Sequence, residues 1–126
     1  MWDKADTTQI LLKLIDACTQ CRQIFDVSTS WANPVGSSVI ENIQQRLDRF
    51  SIELRNEIRR LGEHEDLLLF PLESLREYSG KAALSQVLDY YEQALSSRPT
   101  PHTRAMLNRQ YSDLRQRYHE LDSAAA

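Results

Sequence analysis

The sequence predicts an all-α protein, an antiparallel up-down-up-down four-helix bundle that forms a single domain over residues 1–126. Three observations predict this fold. Apolar residues recur at steps of three and four in four segments, prolines and glycines fall mostly near the segment ends, and no segment alternates apolar and polar residues as a strand does. Four such helices, joined mostly by short loops, pack most simply as an up-down-up-down bundle.

Composition narrows the classes of protein to which the chain can belong. Its 126 residues are 41% hydrophobic and 26% charged, which is typical of a globular domain. A net charge of −3 argues against a dedicated nucleic-acid binder, because such proteins gain affinity by neutralising phosphates. The longest apolar run covers only residues 67–70, and the polar start of the chain does not resemble a signal peptide. We therefore expect a cytoplasmic protein with no membrane or nucleic-acid partner.

The first two helices are predicted over about residues 7–32 and 38–61. The first carries an apolar stripe, Asp6, Thr7 or Thr8 is its candidate N-cap, and Asn33-Pro34 should end it. Ser38 and Glu41 form a capping-box pattern at the start of the second, and Gly62 suits the position after its end. The two stripes are Leu11, Leu14, Cys18, Cys21 and Phe25, then Ile40, Ile43, Leu47, Phe50, Leu54, Ile58 and Leu61.

The other two helices are predicted over about residues 72–97 and 101–122. Gly80 lies within the third, and Arg98-Pro99 should end it. Thr100 is the expected N-cap of the fourth, with Pro101 at its first position, where the missing N–H costs nothing. Their stripes are Leu72, Leu75, Tyr78, Leu84, Leu88, Tyr91 and Leu95, then Leu107, Tyr111, Leu114, Tyr118 and Leu121.

Some four-helix bundles hold di-metal sites, which need a defined set of ligands. The standard site takes a Glu-x-x-His from each of two helices, because side chains at i and i+3 share a helix face. No histidine of this chain follows a glutamate by three residues. The remaining metal alternative would use Glu57, Glu92, Asp113 and His119. We expect no cofactor and no metal, with rim or solvated carboxylates as the simpler interpretation.

Cys18 and Cys21 form a C-x-x-C within the first apolar stripe. Redox motifs of this type gain a low thiol pKa at a helix N-terminus, whereas burial in mid-helix raises the pKa. A zinc site would need two further Cys or His ligands in a matching pattern. Small apolar core residues are therefore the favoured interpretation, with redox or metal use as the alternative.

One connection is unusually apolar. Five large apolar residues follow Asp66, where a polar loop would be expected, and they either close one end of the bundle or form a surface that meets another subunit or partner. The arginines of the second and fourth helices are interspersed with acids, which favours ordinary charged faces. The candidate interface residues are Leu67, Leu68, Leu69, Phe70 and Leu72.

Two stretches carry a family resemblance. The run from Arg46 to Gly62 resembles the second helix of a bacterial domain-of-unknown-function family of ferritin-like four-helix bundles, in which an Arg-x-x-Phe-x-x-x-Leu-x-x-x-Val/Ile pattern closes on Leu-Gly. The run from Tyr91 to Leu95, and then Pro101, Arg104, Leu107, Arg109-Gln110 and Tyr118-His119, resembles its third and fourth helices. The resemblance implies a ferritin-like bundle but not ferritin-like activity. The chain departs from the family pattern between Gly62 and Ala82, where it is shorter and lacks a His-Arg/Trp motif.

These observations lead to a non-enzymatic interaction or structural module that lacks the standard di-iron site and contacts a protein partner or a second copy of itself. The alternative is a degenerate ferritin-like metal-binding or stress-related protein. A third interpretation, small-molecule binding between the helices, would use Tyr91, Tyr111 and Tyr118 as lining residues, although core tyrosines with hydroxyls at the rim are the simpler account.

Overall fold

The computed structural model describes residues 4–28, 34–62 and 79–125, and all its regular structure is helical. Four helices are present: α1 (Lys4–Ser28), α2 (Pro34–Arg60), α3 (Gly80–Ser96) and α4 (Pro101–Ala125). No β-strand occurs in these three ranges. The predicted all-α four-helix bundle is thus confirmed.

The apolar stripes read from the sequence face one common core. Every residue of the α1 stripe is buried, as are all those of the α2 stripe except the partly buried Leu61. In α3 and α4 the leucines and Tyr91 supply most of the core, while Leu95, Tyr111 and Tyr118 are partly buried against it. Burial of one side of each helix removes this apolar surface from water, which is the main favourable contribution to folding.

The helix starts differ from the predicted ones. α1 begins at Lys4, so the proposed caps Asp6, Thr7 and Thr8 lie inside the helix. Pro34 opens α2 instead of merely ending α1, and Ser38 is therefore not an N-cap. Proline suits this position because its fixed φ is helical and the first helical N–H groups have no partner within the helix.

The described part of α3 starts later than predicted. Ser79 has extended backbone with φ −67° and ψ 163°, and its side chain accepts a hydrogen bond from the N–H of Ala82, so Ser79 is an N-cap. The prediction of one helix that continues from residue 72 through residue 80 is therefore wrong. Leu72, Leu75 and Tyr78 lie outside the described residues.

The helix ends agree better with the sequence. Gly62 has φ +78° and donates its N–H to the Arg59 carbonyl, as expected of a glycine just after a helix. Arg98 follows α3 with φ +58°, just before Pro99. The carbonyl of Thr100 accepts from the N–H of Arg104, which places Thr100 at the N-cap position of α4 and Pro101 at its first turn.

Interhelical contacts give the direction of each helix. Arg22 of α1 contacts Asp48 of α2. Gln44, which precedes Asp48 in α2, contacts Asp26, which follows Arg22 in α1, so the two helices are antiparallel. By the same criterion α2 is antiparallel to α4, and α3 is antiparallel to both α1 and α4. For α2 and α4 the pairs are Arg46 with Asp113 and Glu57 with Thr103. For α3 and α1 they are Gly80 with Phe25 and Tyr91 with Cys18. For α3 and α4 they are Lys81 with Asp122 and Tyr91 with Gln110.

The bundle therefore runs up-down-down-up, with α2 and α3 pointing the same way. Its packed neighbours are α1–α2, α1–α3, α3–α4 and α2–α4, and each of these pairs is antiparallel. The predicted up-down-up-down order would instead make α1–α3 and α2–α4 parallel. The difference from up-down-up-down concerns the connection between α2 and α3, which joins opposite ends of the bundle. Residues 63–78 provide enough chain for this, because an extended chain advances roughly 3.3 Å per residue.

Candidate functional site

A buried carboxylate lies where the end of α2 meets the start of α4. The Glu57 side chain is only 2% exposed and accepts a hydrogen bond from the Thr103 hydroxyl at 2.6 Å. Nδ1 of His102 lies 3.0 Å from the same carboxylate oxygen. An ionised carboxylate only accepts hydrogen bonds, so Nδ1 of His102 carries a proton and is the donor in this contact. His102 itself is 64% exposed.

Arg60 completes the cluster from one turn further along α2. Its Nε and Nη2 donate to the two oxygens of Glu57, with 3.0 Å between Nη2 and Oε2. Burial alone would raise the pKa of the Glu57 carboxyl, but the bonds from Arg60, Thr103 and His102 together lower that pKa to about 2. Glu57 is therefore an anion at neutral pH. It lies beside the N-terminus of α4, where the helix dipole favours negative charge.

An open groove of about 530 Å³ lies over this cluster between α2 and α4, and we call it the α2–α4 groove. On each helix its lining residues follow the spacing i, i+3, i+4 and i+7, so they share one helix face. Those of α2 are Glu53, Asn56, Glu57 and Arg60. Those of α4 are His102, Ala105, Met106 and Arg109.

Two further ion pairs join α2 to α4 along the same interface. Arg46 donates from Nε to Asp113, with 2.9 Å to Oδ2, and Arg109 donates to Glu53. Arg117 also contacts Asp113 from one turn along α4. These contacts support the interpretation of the α2 and α4 arginines as charged faces whose members pair with neighbouring acids.

A second polar group lies in the core between α1, α3 and α4. The Tyr91 hydroxyl donates to Oε1 of Gln110 at 2.7 Å, and it also bonds the Cys18 thiol. All three side chains are fully buried, and Nε2 of Gln110 has no hydrogen-bond partner among the described residues. Burial raises the pKa of the Cys18 thiol to about 12, although the hydrogen bond between Cys18 and Tyr91 opposes this, and burial raises the pKa of Tyr91 as well.

Cys21 is also buried and reduced, and burial next to Cys18 raises the pKa of its thiol strongly. A thiol in this setting is mostly protonated at neutral pH and is a poor nucleophile and metal ligand. The position and the raised pKa values agree with the prediction that both cysteines are small core residues.

The four residues of the metal alternative have different surroundings. Glu57 is bound as described, Asp113 contacts Arg46 and Arg117, and Glu92 is exposed and bonds the Tyr111 hydroxyl. His119 is exposed, with its ring edge-on to Tyr118 at a centroid distance of 6.1 Å. No group of three His, Cys, Asp or Glu side chains that could hold a metal ion occurs within the described ranges.

The three tyrosines predicted to line a small-molecule site also have different surroundings. Tyr91 belongs to the core group, and Tyr111 and Tyr118 are partly buried against the core with different partners. Tyr118 lies beside Lys81, whose Nζ is 5.9 Å from the ring centroid. The candidate interface at residues 67–72 lies outside the described residues.

Sequence reasoning missed Thr103 and Gln110 as buried polar residues, and it gave His102 no role. Glu57 lies beside the Leu54–Ile58 stripe of α2, and the first turn of α4 lies opposite that position because the two helices are antiparallel, whereas the predicted order made them parallel. Gln110 follows Leu107 by three residues and so extends the apolar face of α4.

Comparison with known proteins finds no match: no family model, no curated protein and no solved structure matches this chain. Within the described residues, none of the helices is long and apolar enough to cross a bilayer.

Proposed function

We propose that this protein is a ferritin-like helical bundle that acts as a non-enzymatic interaction or structural module and lacks the standard di-iron site. The observation that supports it most directly is the bonding of Glu57. Its carboxylate joins the last turns of α2 to the first turn of α4 through Thr103 and His102. A buried carboxylate used in this way connects helices, which is a structural role.

The interhelical pairs extend the same argument along the bundle. Arg22 with Asp48, Arg46 with Asp113 and Lys81 with Asp122 each connect two different helices. The buried thiols have raised pKa values, which suits packing better than nucleophilic chemistry. Polar residues that hold helices together suit a module whose partners contact its outer surface.

The contact surface we propose is the apolar segment Leu67, Leu68, Leu69, Phe70 and Leu72, through which the protein meets a protein partner or a second copy of itself. The experiment compares the wild type with a Leu68→Ser/Phe70→Ser variant by light scattering and by capture of partners. We expect the variant to have a lower mass in solution or to lose captured partners. Unchanged mass together with unchanged capture would contradict the assignment.

Ile52 provides a matched control for this experiment. It is a large apolar residue on α2 that is 58% exposed, and Ile52→Ser removes exposed apolar surface at a different place. We expect Ile52→Ser to retain the wild-type mass and partners. An equal effect of both changes would indicate general loss of surface hydrophobicity and would contradict a specific interface.

One observation favours the second candidate, a degenerate ferritin-like metal-binding or stress-related protein. Ferritin-like bundles have one long crossover connection, and the up-down-down-up order also needs one between α2 and α3. The test is metal content by mass spectrometry, as purified and after anaerobic loading with iron or zinc. We expect no stoichiometric metal, because Glu57, Glu92, Asp113 and His119 have separate partners. A stoichiometric metal lost on their substitution would replace the leading proposal.

A further inference from the structure

The α2–α4 groove has the dimensions of a small-molecule site. Its volume of about 530 Å³ lies within the range of ligand clefts, which is about 300–1,000 Å³. From His102 to Arg109 the groove extends about 10 Å along α4, since a helix rises 1.5 Å per residue. A molecule of a few carbon atoms with one polar group could lie along it.

The carboxylates of the groove are already engaged by the protein. Glu57 accepts bonds from Arg60, His102 and Thr103, and its side chain is almost completely buried. Glu53 is partly buried and is paired with Arg109. Each acid is therefore paired with an arginine, so these four groups carry no net charge, and a ligand would bind through the N–H groups that the pairs leave over.

The arginines, in contrast, face both the acids and the groove. Arg60 bonds Glu57 through Nε and Nη2, and within the described part of the chain its Nη1 makes no bond. Arg109 bonds Glu53 through Nη2 alone. Both side chains are about half exposed. A guanidinium has five N–H donors and binds carboxylate or phosphate in two-pronged geometry, so these two residues offer donors to an anion.

Between the two ends of the groove the lining is apolar. Ala105 and Met106 lie on α4 between His102 and Arg109, and Met106 packs against the core. Hydrocarbon placed over them would lose contact with water at a gain of roughly 25 cal/mol per Å². The groove thus combines a donor end with an apolar middle.

We propose that the α2–α4 groove binds a small organic anion, with its carboxylate or phosphate head at Arg60 and its hydrocarbon body over Ala105 and Met106. The buried Glu57 orients the guanidinium of Arg60 by binding two of its nitrogens, and it thereby directs the remaining N–H groups outward. None of residues 67–72, the proposed contact segment, is among the residues that define this site, so the two proposals are tested by different variants and each can fail without the other.

The probes are hexanoate and hexyl phosphate, titrated into the full chain while amide shifts are followed by NMR. We expect saturable shifts confined to the facing turns of α2 and α4, and the tighter of the two probes identifies the preferred head group. Acetate lacks the hydrocarbon and hexylamine has the opposite charge, so both should bind at least about tenfold more weakly. Equal binding of hexylamine, or no saturable shift with either anion, would overturn the proposal.

A pair of variants tests the position of the site. Ala105→Glu places a negative charge in the middle of the groove, and like charges oppose binding, so we expect at least about a tenfold loss of affinity. Asn108→Glu adds the same charge to an exposed position of α4 outside the groove and should change affinity by less than about twofold. Both positions are exposed, and thermal melts establish that each variant folds. Wild-type affinity in Ala105→Glu, or an equal loss in Asn108→Glu, would refute the site.

Discussion

The hydroxyl of Thr103 on α4 donates a hydrogen bond to the Glu57 carboxylate on α2, with 2.6 Å between the two oxygens. Both side chains are buried, so water does not compete for this bond. A bond from a neutral donor to a buried charged acceptor contributes about 1.5–3 kcal/mol. The pair connects the end of one helix to the beginning of another and depends on the ionised form of Glu57.

Stability should therefore fall in acid through Glu57. Its pKa is about 2 in the folded protein against an ordinary value of 4.5, so as the pH falls the unfolded chain binds this proton first. The contribution is complete above pH 4.5 and is lost between pH 4.5 and about 2. We expect Glu57→Gln to lower the free energy of unfolding at neutral pH by roughly 3 kcal/mol.

Urea unfolding over a series of pH values measures this effect. Glu57→Gln should show a shallower decline of stability in acid than the wild type. Glu41→Gln, which changes an exposed glutamate of α2, is the control and should keep the wild-type slope. If Glu57→Gln and the wild type lose stability in parallel, Glu57 is not the group that titrates.

Gly80 and Phe25 provide a prediction about packing. A Cβ built on Gly80 would lie 2.5 Å from Cε1 of the buried Phe25 ring. Overpacking of this kind costs about 1–3 kcal/mol, so Gly80→Ala should destabilise the protein although alanine is the better helix former. In the double variant Phe25→Leu/Gly80→Ala the loss should be smaller than the sum of the two single losses, as chemical denaturation would show. Additive losses would exclude this contact as the cause.

Tyr91 and Gln110 provide a prediction about buried polar groups. Tyr91→Phe removes the donor to Oε1 of Gln110, whose Nε2 already has no partner in the described structure, and an unpaired buried group costs about 1–3 kcal/mol. The double variant Tyr91→Phe/Gln110→Leu removes both polar partners and should recover most of that loss. Thermal unfolding measures both variants. A double variant less stable than Tyr91→Phe would show that the pair is needed for more than its own hydrogen bond.

The sequence predicted the four helices well because burial of one helix face produces a period that survives in a single sequence. Every residue of the four stripes inside the described ranges is buried or packs against the core. The capping patterns were less informative. Ser38 is of a residue type that commonly caps helices, but Pro34 begins α2 one turn earlier. The neighbouring sequence does not distinguish the two possible helix starts.

The directions of α3 and α4 could not be predicted, because periodicity shows that a helix has a buried face but not which helices lie beside it. The same limit hid the candidate site. Glu57 lies near an apolar stripe in the sequence, yet its partners Thr103 and His102 follow it by more than forty residues. Only the antiparallel packing of α2 on α4 brings the three side chains together.

Arg98 provides the last prediction, because it follows α3 with φ +58°, a left-handed conformation that side chains with a Cβ adopt at a cost of roughly 1–2 kcal/mol. Glycine adopts it without that cost but loses more entropy on folding, so Arg98→Gly should stabilise the protein by about 0.5–1 kcal/mol. Arg98→Ala is the control, since it removes the same charge and keeps the Cβ. The free energies of unfolding of the two variants decide the matter. If alanine stabilises as much as glycine, the charge of Arg98 and not its backbone conformation is the source of the effect.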